Sequence, residues 1–161
     1  MGIIKKYKAL IVLALIVVVG TFFFFYRFYH NDVKALTDFS VAYEKFDKAV
    51  SDFSTSVFAS NPEGALAVDD LERKADEALV DLNIKASARI SSLIKNDAEL
   101  MRATHEIADL SGKELDALKA YKRAIADKNS GMDKLAQAFG DLSNKRQVAY
   151  AHFRELGGIK N

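Results

Sequence analysis

The chain has no cysteine and no tryptophan among its 161 residues, and one proline, Pro62. Without thiols there is no disulfide, no thiolate chemistry and no lipid attached through cysteine, on whichever side of a membrane the chain lies. Its eight glycines build no phosphate cradle, for neither G-x-x-x-x-G-K-[ST] nor G-x-G-x-x-G occurs. The many serines lack a G-x-S-x-G elbow. Histidine occurs three times, as His30, His105 and His152. His105 stands beside Glu106 and four residues before Asp109, a spacing that can orient an imidazole. A di-metal bundle needs Glu-x-x-His twice, and the positions three before His105 and His152 are Arg102 and Ala149. These absences assign no catalytic, cofactor-binding or metal residue, and the expectation is a non-enzymatic protein without a cofactor.

Charge of one sign is also missing. Nineteen of the 23 basic residues and all 22 acidic ones fall after position 30, so residues 31–161 carry a net charge of −3. A nucleic-acid partner would call for a basic stripe, and there is none. The acidic cluster Asp69, Asp70 and Glu72 interleaves with Arg73 and Lys74, the ordinary composition of a solvated helix face.

What the chain does have is an apolar run of 18 residues, Ala9 to Tyr26, preceded by Lys5, Lys6 and Lys8. Extended to Phe28 and wound as a helix at ~1.5 Å per residue, it measures roughly 30 Å, the thickness of a bilayer's hydrocarbon core. Seven of the eight residues from Phe22 to Tyr29 are aromatic, which suits the headgroup level and leaves no small-residue site for a signal peptidase. Lys6 stands where a myristoylation motif wants Ser or Thr. The run therefore reads as a retained anchor over residues 7–29, with a short cytoplasmic tail at 1–6 and a helical domain at 30–158. Arg27, Lys34 and Lys45 beyond the span offset the three leading lysines. The tighter cluster ahead of the first helix places the amino terminus in the cytoplasm and the domain outside the inner membrane.

After the anchor the periodicity is helical. Leu36, Phe39, Tyr43, Phe46, Val50, Phe53 and Val57 step by 3 and 4 in strict alternation, a heptad seam on a helix expected over 32–59. Asn31 or Asp32 can cap it, unless the anchor helix runs straight in through Tyr29 and His30. Ser60 to Gly64, around Pro62, is the strongest break. A second pattern follows through Leu66, Leu71, Ala75, Leu79, Leu82, Ala86, Ile90 and Leu93. Asp69/Arg73, Asp70/Lys74 and Asp81/Lys85 are placed at i,i+4 with the acid first. β-Branched clusters are too sparse for strands.

Further on, two readings compete. Turns near Asn96, capped by Asn96 or Asp97, and near Gly131 give four helices. These suit an antiparallel up-down-up-down bundle around one core, the preferred fold. A capping box at Ser111 and Glu114 gives three longer helices resembling an extended coiled coil, because Leu118, Tyr121, Ile125, Met132, Leu135, Phe139 and Leu142 keep phase across Gly131. Gly157 and Gly158 close the last helix near Leu156. Tyr43 is the one hydroxyl in an aromatic row, and so the side chain expected at an edge or pocket; Phe58 should pack under the Asn61 turn.

The expected function follows from an anchor, packing patterns and no reactive constellation: a single-pass membrane protein whose partners are the bilayer and an unidentified protein, acting as scaffold, adaptor or inhibitor, or a second copy of itself. The alternative is an extracytoplasmic bundle that senses a small ligand and works through a separate signalling partner. That layout resembles the periplasmic part of bacterial chemoreceptors in architecture, with no shared motif.

Overall fold

The computed structural model describes residues 2–59, 68–90, 94, 96–127 and 131–159, with side chains from Ala14 onward. The described residues are all-α and form four helices: α1 (Gly2–Phe58), α2 (Asp69–Ala86), α3 (Asp97–Ala126) and α4 (Met132–Gly157). The described residues contain no strand. The break at Ser60 to Gly64, together with Leu66, Leu93, Lys95, Asn129 and Ser130, lies outside the described residues, as do the side chains of Lys5, Lys6 and Lys8.

Helix α1 runs unbroken from the apolar stretch into the heptad seam, so Asn31 and Asp32 are interior residues of one helix and cap nothing. From Leu15 to Tyr29 every large apolar side chain is exposed, whereas the seam from Leu36 to Val57 is buried to 6% exposure or less. Among the described residues α1 is the one helix long and apolar enough to cross a membrane. The hydroxyl in its apolar part is satisfied within the helix, since Thr21 Oγ1 donates to the Val17 carbonyl at 2.7 Å.

The seam of α1 is covered on two sides. Toward α2, Lys45 pairs with Asp81 at 3.6 Å and Asp38 with Lys85 at 3.7 Å. Toward α4, Phe39 meets Phe153 edge-on at 4.9 Å, Tyr43 stacks on Tyr150 at 3.6 Å, and Phe58 meets Phe139 at 5.7 Å. In each set the partner number falls as the α1 number rises. Ala75, Ala78, Leu82, Leu100, Ile107, Leu115 and Leu118 fill the centre between α2 and α3. Small residues on α2 allow close approach, and the phenyl rings of α1 and α4 fill the wider gap opposite.

The ends of the helices settle the competing readings. Ser111 is in the middle of α3, its Oγ donating to the Ile107 carbonyl at 2.7 Å, so the capping box does not form and the described residues keep four helices. Asn96 does precede α3, yet it caps with its backbone: φ is 67° and no side-chain cap bond forms. Gly158 takes the left-handed conformation at φ 62°, with Gly158 N donating to Glu155 O at 3.3 Å and Ile159 N to Arg154 O at 3.0 Å. That pair of bonds is the Schellman closure a C-terminal glycine permits. Of the three expected pairs on α2, Lys74–Asp70 forms at 2.7 Å. Arg73 instead bridges Asp70 and Glu77, and Asp81 and Lys85 turn to α1.

Candidate functional site

Extending the heptad count along α4 gives Met132, Leu135, Phe139, Leu142, position 146, Ala149, Phe153 and Leu156. An arginine occupies position 146, in the seam itself. The same happens on α3, where Glu114 falls in step between Ile107 and Leu118. Arg146 and Glu114 are 1% and 0% exposed, so two opposite charges sit in the core facing each other.

Their geometry is bidentate. Arg146 Nε donates to Glu114 Oε2, and Nη2 to Glu114 Oε1 at 3.3 Å. Nη2 also reaches Asp47 Oδ1 on α1 at 2.7 Å, so one guanidinium ties α1, α3 and α4 together. Nη1 has no hydrogen-bond partner among the described residues and is shut off from solvent. The guanidinium carbon lies 5.0 Å from the Tyr43 ring centroid and 5.4 Å from that of Phe46, so π-faces of α1 take up part of the charge. Burial works to lower the Arg146 pKa, and the Glu114 hydrogen bond and charge, with Tyr43 and Asp47, outweigh it; the group is held above its ordinary value and stays charged.

Tyr43 is therefore not at an edge. It is 5% exposed, sandwiched into the aromatic contact between α1 and α4, and burial pushes its hydroxyl well above the usual tyrosine range while the Arg146 charge opposes that rise. Burial likewise raises Tyr150, against a hydrogen bond with Ser40. Beside the ion pair, a cleft of about 180 Å³ opens between α1 and α4, lined by Asp47, Ser51, Ser54, Glu114, Ser143 and Gln147, with Phe139 and Arg146 also on its wall.

A second charged cluster joins α2 to α3. Lys122 is 8% exposed and donates to Asp69 and, at 2.7 Å, to Glu72; Lys119 reaches Asp76 at 2.5 Å. Burial again opposes the charge on Lys122, and the two carboxylates overcome it, raising its pKa. Every donor here is matched by a carboxylate, so the cluster reads as a clamp between helices.

The histidines do not converge. His105 and His152 are exposed, and His30 stacks on Tyr26 with ring centroids 6.2 Å apart. Phe58 meets Tyr121 at 4.7 Å and is 44% exposed; the Asn61 turn lies outside the described residues. The residues that sequence patterns missed were Arg146 and Glu114. The signal for both was a formal charge occupying a seam position, legible only once the heptad is counted through the polar interruption.

No protein-family model, no curated protein and no solved structure matches this chain.

Proposed function

We propose that the chain is a single-pass inner-membrane protein, amino terminus cytoplasmic, whose helices close outside the cytoplasm as an up-down-up-down bundle and act without catalysis through contacts with another protein. The observation that carries this reading is the continuity of α1. One helix holds both the exposed apolar segment and the buried seam, so the domain is fixed at a set height above the headgroups with no flexible linker between. Such a rigid mount suits a scaffold, adaptor or inhibitor, whose task is to present a surface at a given place. Orientation rests on Lys5, Lys6 and Lys8 ahead of the span.

Two measurements test it. Reporter fusions after Ile159 should be active for a periplasmic enzyme and dark for a cytoplasmic fluorophore; the reverse pattern contradicts the orientation. Photocrosslinkers placed at exposed positions of α2 and α4 in the full chain, in intact membranes, should give one discrete heteromeric product. A product at twice the chain mass would assign the surface to a second copy, and no product from any position would contradict the adaptor reading.

A second reading, a ligand-sensing bundle working through a separate partner, is favoured by the polar cleft beside Arg146. A cleft of that composition between α1 and α4 adjoins the one helix that continues into the apolar segment. A bound molecule would therefore act directly on the anchored helix.

A further inference from the structure

We infer that the cleft between α1 and α4 binds a compact primary ammonium group. The inference rests on the ligand-binding reading and adds the chemistry of the ligand. The wall draws Asp47, Ser51 and Ser54 from α1, Glu114 from α3, and Ser143 and Gln147 from α4. Two carboxylates against one guanidinium leave a single net negative charge. Both Glu114 oxygens are engaged by Arg146, so the surplus resides on Asp47, which accepts Nη2 at Oδ1 and is 46% exposed at its side chain.

The rest of the lining offers lone pairs. Ser54 donates its own hydroxyl proton to the Ser51 carbonyl at 3.0 Å, which leaves its oxygen as an acceptor. A wall with one unit of negative charge and hydroxyl and amide oxygens able to accept is complementary to a group with several N–H donors and one positive charge. An anion fits badly: the Arg146 donors at Nε and Nη2 are taken by carboxylates, and Nη1 is closed to solvent.

Volume restricts the size. At ~30 Å³ for each water-sized group, a cleft of about 180 Å³ holds a short aminoalkyl chain and is too small to enclose a nucleotide.

The test uses the full chain in lipid nanodiscs, titrated calorimetrically with ethanolamine, putrescine, tetramethylammonium and acetate. Ethanolamine and putrescine should bind saturably. Tetramethylammonium, with the charge and no N–H donor, should bind at least ten-fold more weakly, and acetate not at all. Asp47→Asn should weaken amine binding at least ten-fold with the helical circular dichroism retained. Ser143→Ala should weaken it several-fold and serves alone if the first variant loses its fold. Acetate binding as tightly as the amines, or amine binding indifferent to both substitutions, overturns the inference and leaves the ligand-binding reading standing. A response to none of the four overturns the inference; if a wider panel of neutral small molecules is also flat, the ligand-binding reading falls with it.

Discussion

The two halves of α1 share one backbone, and they meet opposite surroundings. Between Leu15 and Tyr29 the apolar residues go all the way round and every large one is exposed; between Leu36 and Val57 they keep to a seam and are buried. The difference lies in the charges. Beyond Tyr29, Lys34, Asp38, Glu44, Lys45, Asp47, Lys48 and Asp52 interleave the seam and give the helix a wet side, while the stretch from Ala9 to Tyr26 has none. An all-round apolar helix finds its solvent in lipid or nowhere, and an amphipathic one finds it in protein on one side and water on the other. What the pair shows is that the angular distribution of charge along one continuous helix divides an exposed apolar stretch from a buried seam.

The same truncation in the two halves should have opposite outcomes. Phe46→Ala removes a fully buried ring and its contact with Arg146, and should cost roughly 3–5 kcal/mol; Phe23→Ala, at 64% exposure, should leave the unfolding midpoint where it was. Chemical denaturation of the full chain in micelles checks both. A comparable loss from Phe23→Ala would mean that the apolar half is covered by the rest of the protein.

Of similar size is Glu114→Gln, which strands a buried guanidinium; the cost is roughly 3–5 kcal/mol. Replacing Arg146 and Glu114 together by Met and Leu should recover most of that loss. If the pair of changes is as damaging as the single one, the ion pair is not what is being lost.

A charge moved into the other half, Val18→Lys, should raise the cost of insertion by about 3 kcal/mol and shift chain from the membrane to the soluble fraction, with the melting of the helical domain unchanged. Alkaline titration probes the seam more gently. Burial raises the Tyr43 pKa above its ordinary 10.0, so the unfolded chain gives up that proton first. Stability is then full below pH 10 and falls as pH rises above it. Tyr43→Phe should flatten that alkaline limb. Smallest of all, Arg73→Ala removes two fully exposed pairs, with Asp70 and Glu77, and should not move the midpoint measurably.

Much of this fold was legible in the residues. The long apolar helix near the amino terminus, the α1 seam, the four helices of the described residues and the glycine closure at Gly158 each follow from a local pattern with a physical cause. What could not be read was pairing across helices. Asp81 and Lys85 stand at ideal spacing for each other, yet each prefers α1, because an interhelix partner also covers the seam. The capping box at Ser111 and Glu114 had the right letters and the wrong place: in the core the hydroxyl bonds back to its own helix and the carboxylate finds Arg146. Glu114 and Arg146 lie 32 residues apart, and only their shared heptad phase hints that they meet. Tyr43 was expected to need an exit for its hydroxyl, and it is instead packed between Tyr150 and the guanidinium, where ring stacking offsets the burial of its polar tip.

The most direct test of the central claim, one helix in two environments, is a spin-label accessibility scan along residues 14–58 in bilayers. The natural absence of cysteine makes each single-cysteine site unambiguous. Oxygen-accessible, water-excluded labels are expected at every position from Leu15 to about Phe28, then protection recurring every three to four residues from Leu36 to Val57. Helical periodicity of protection starting already at Leu15, or free access of a water-soluble relaxant throughout that first stretch, would contradict it.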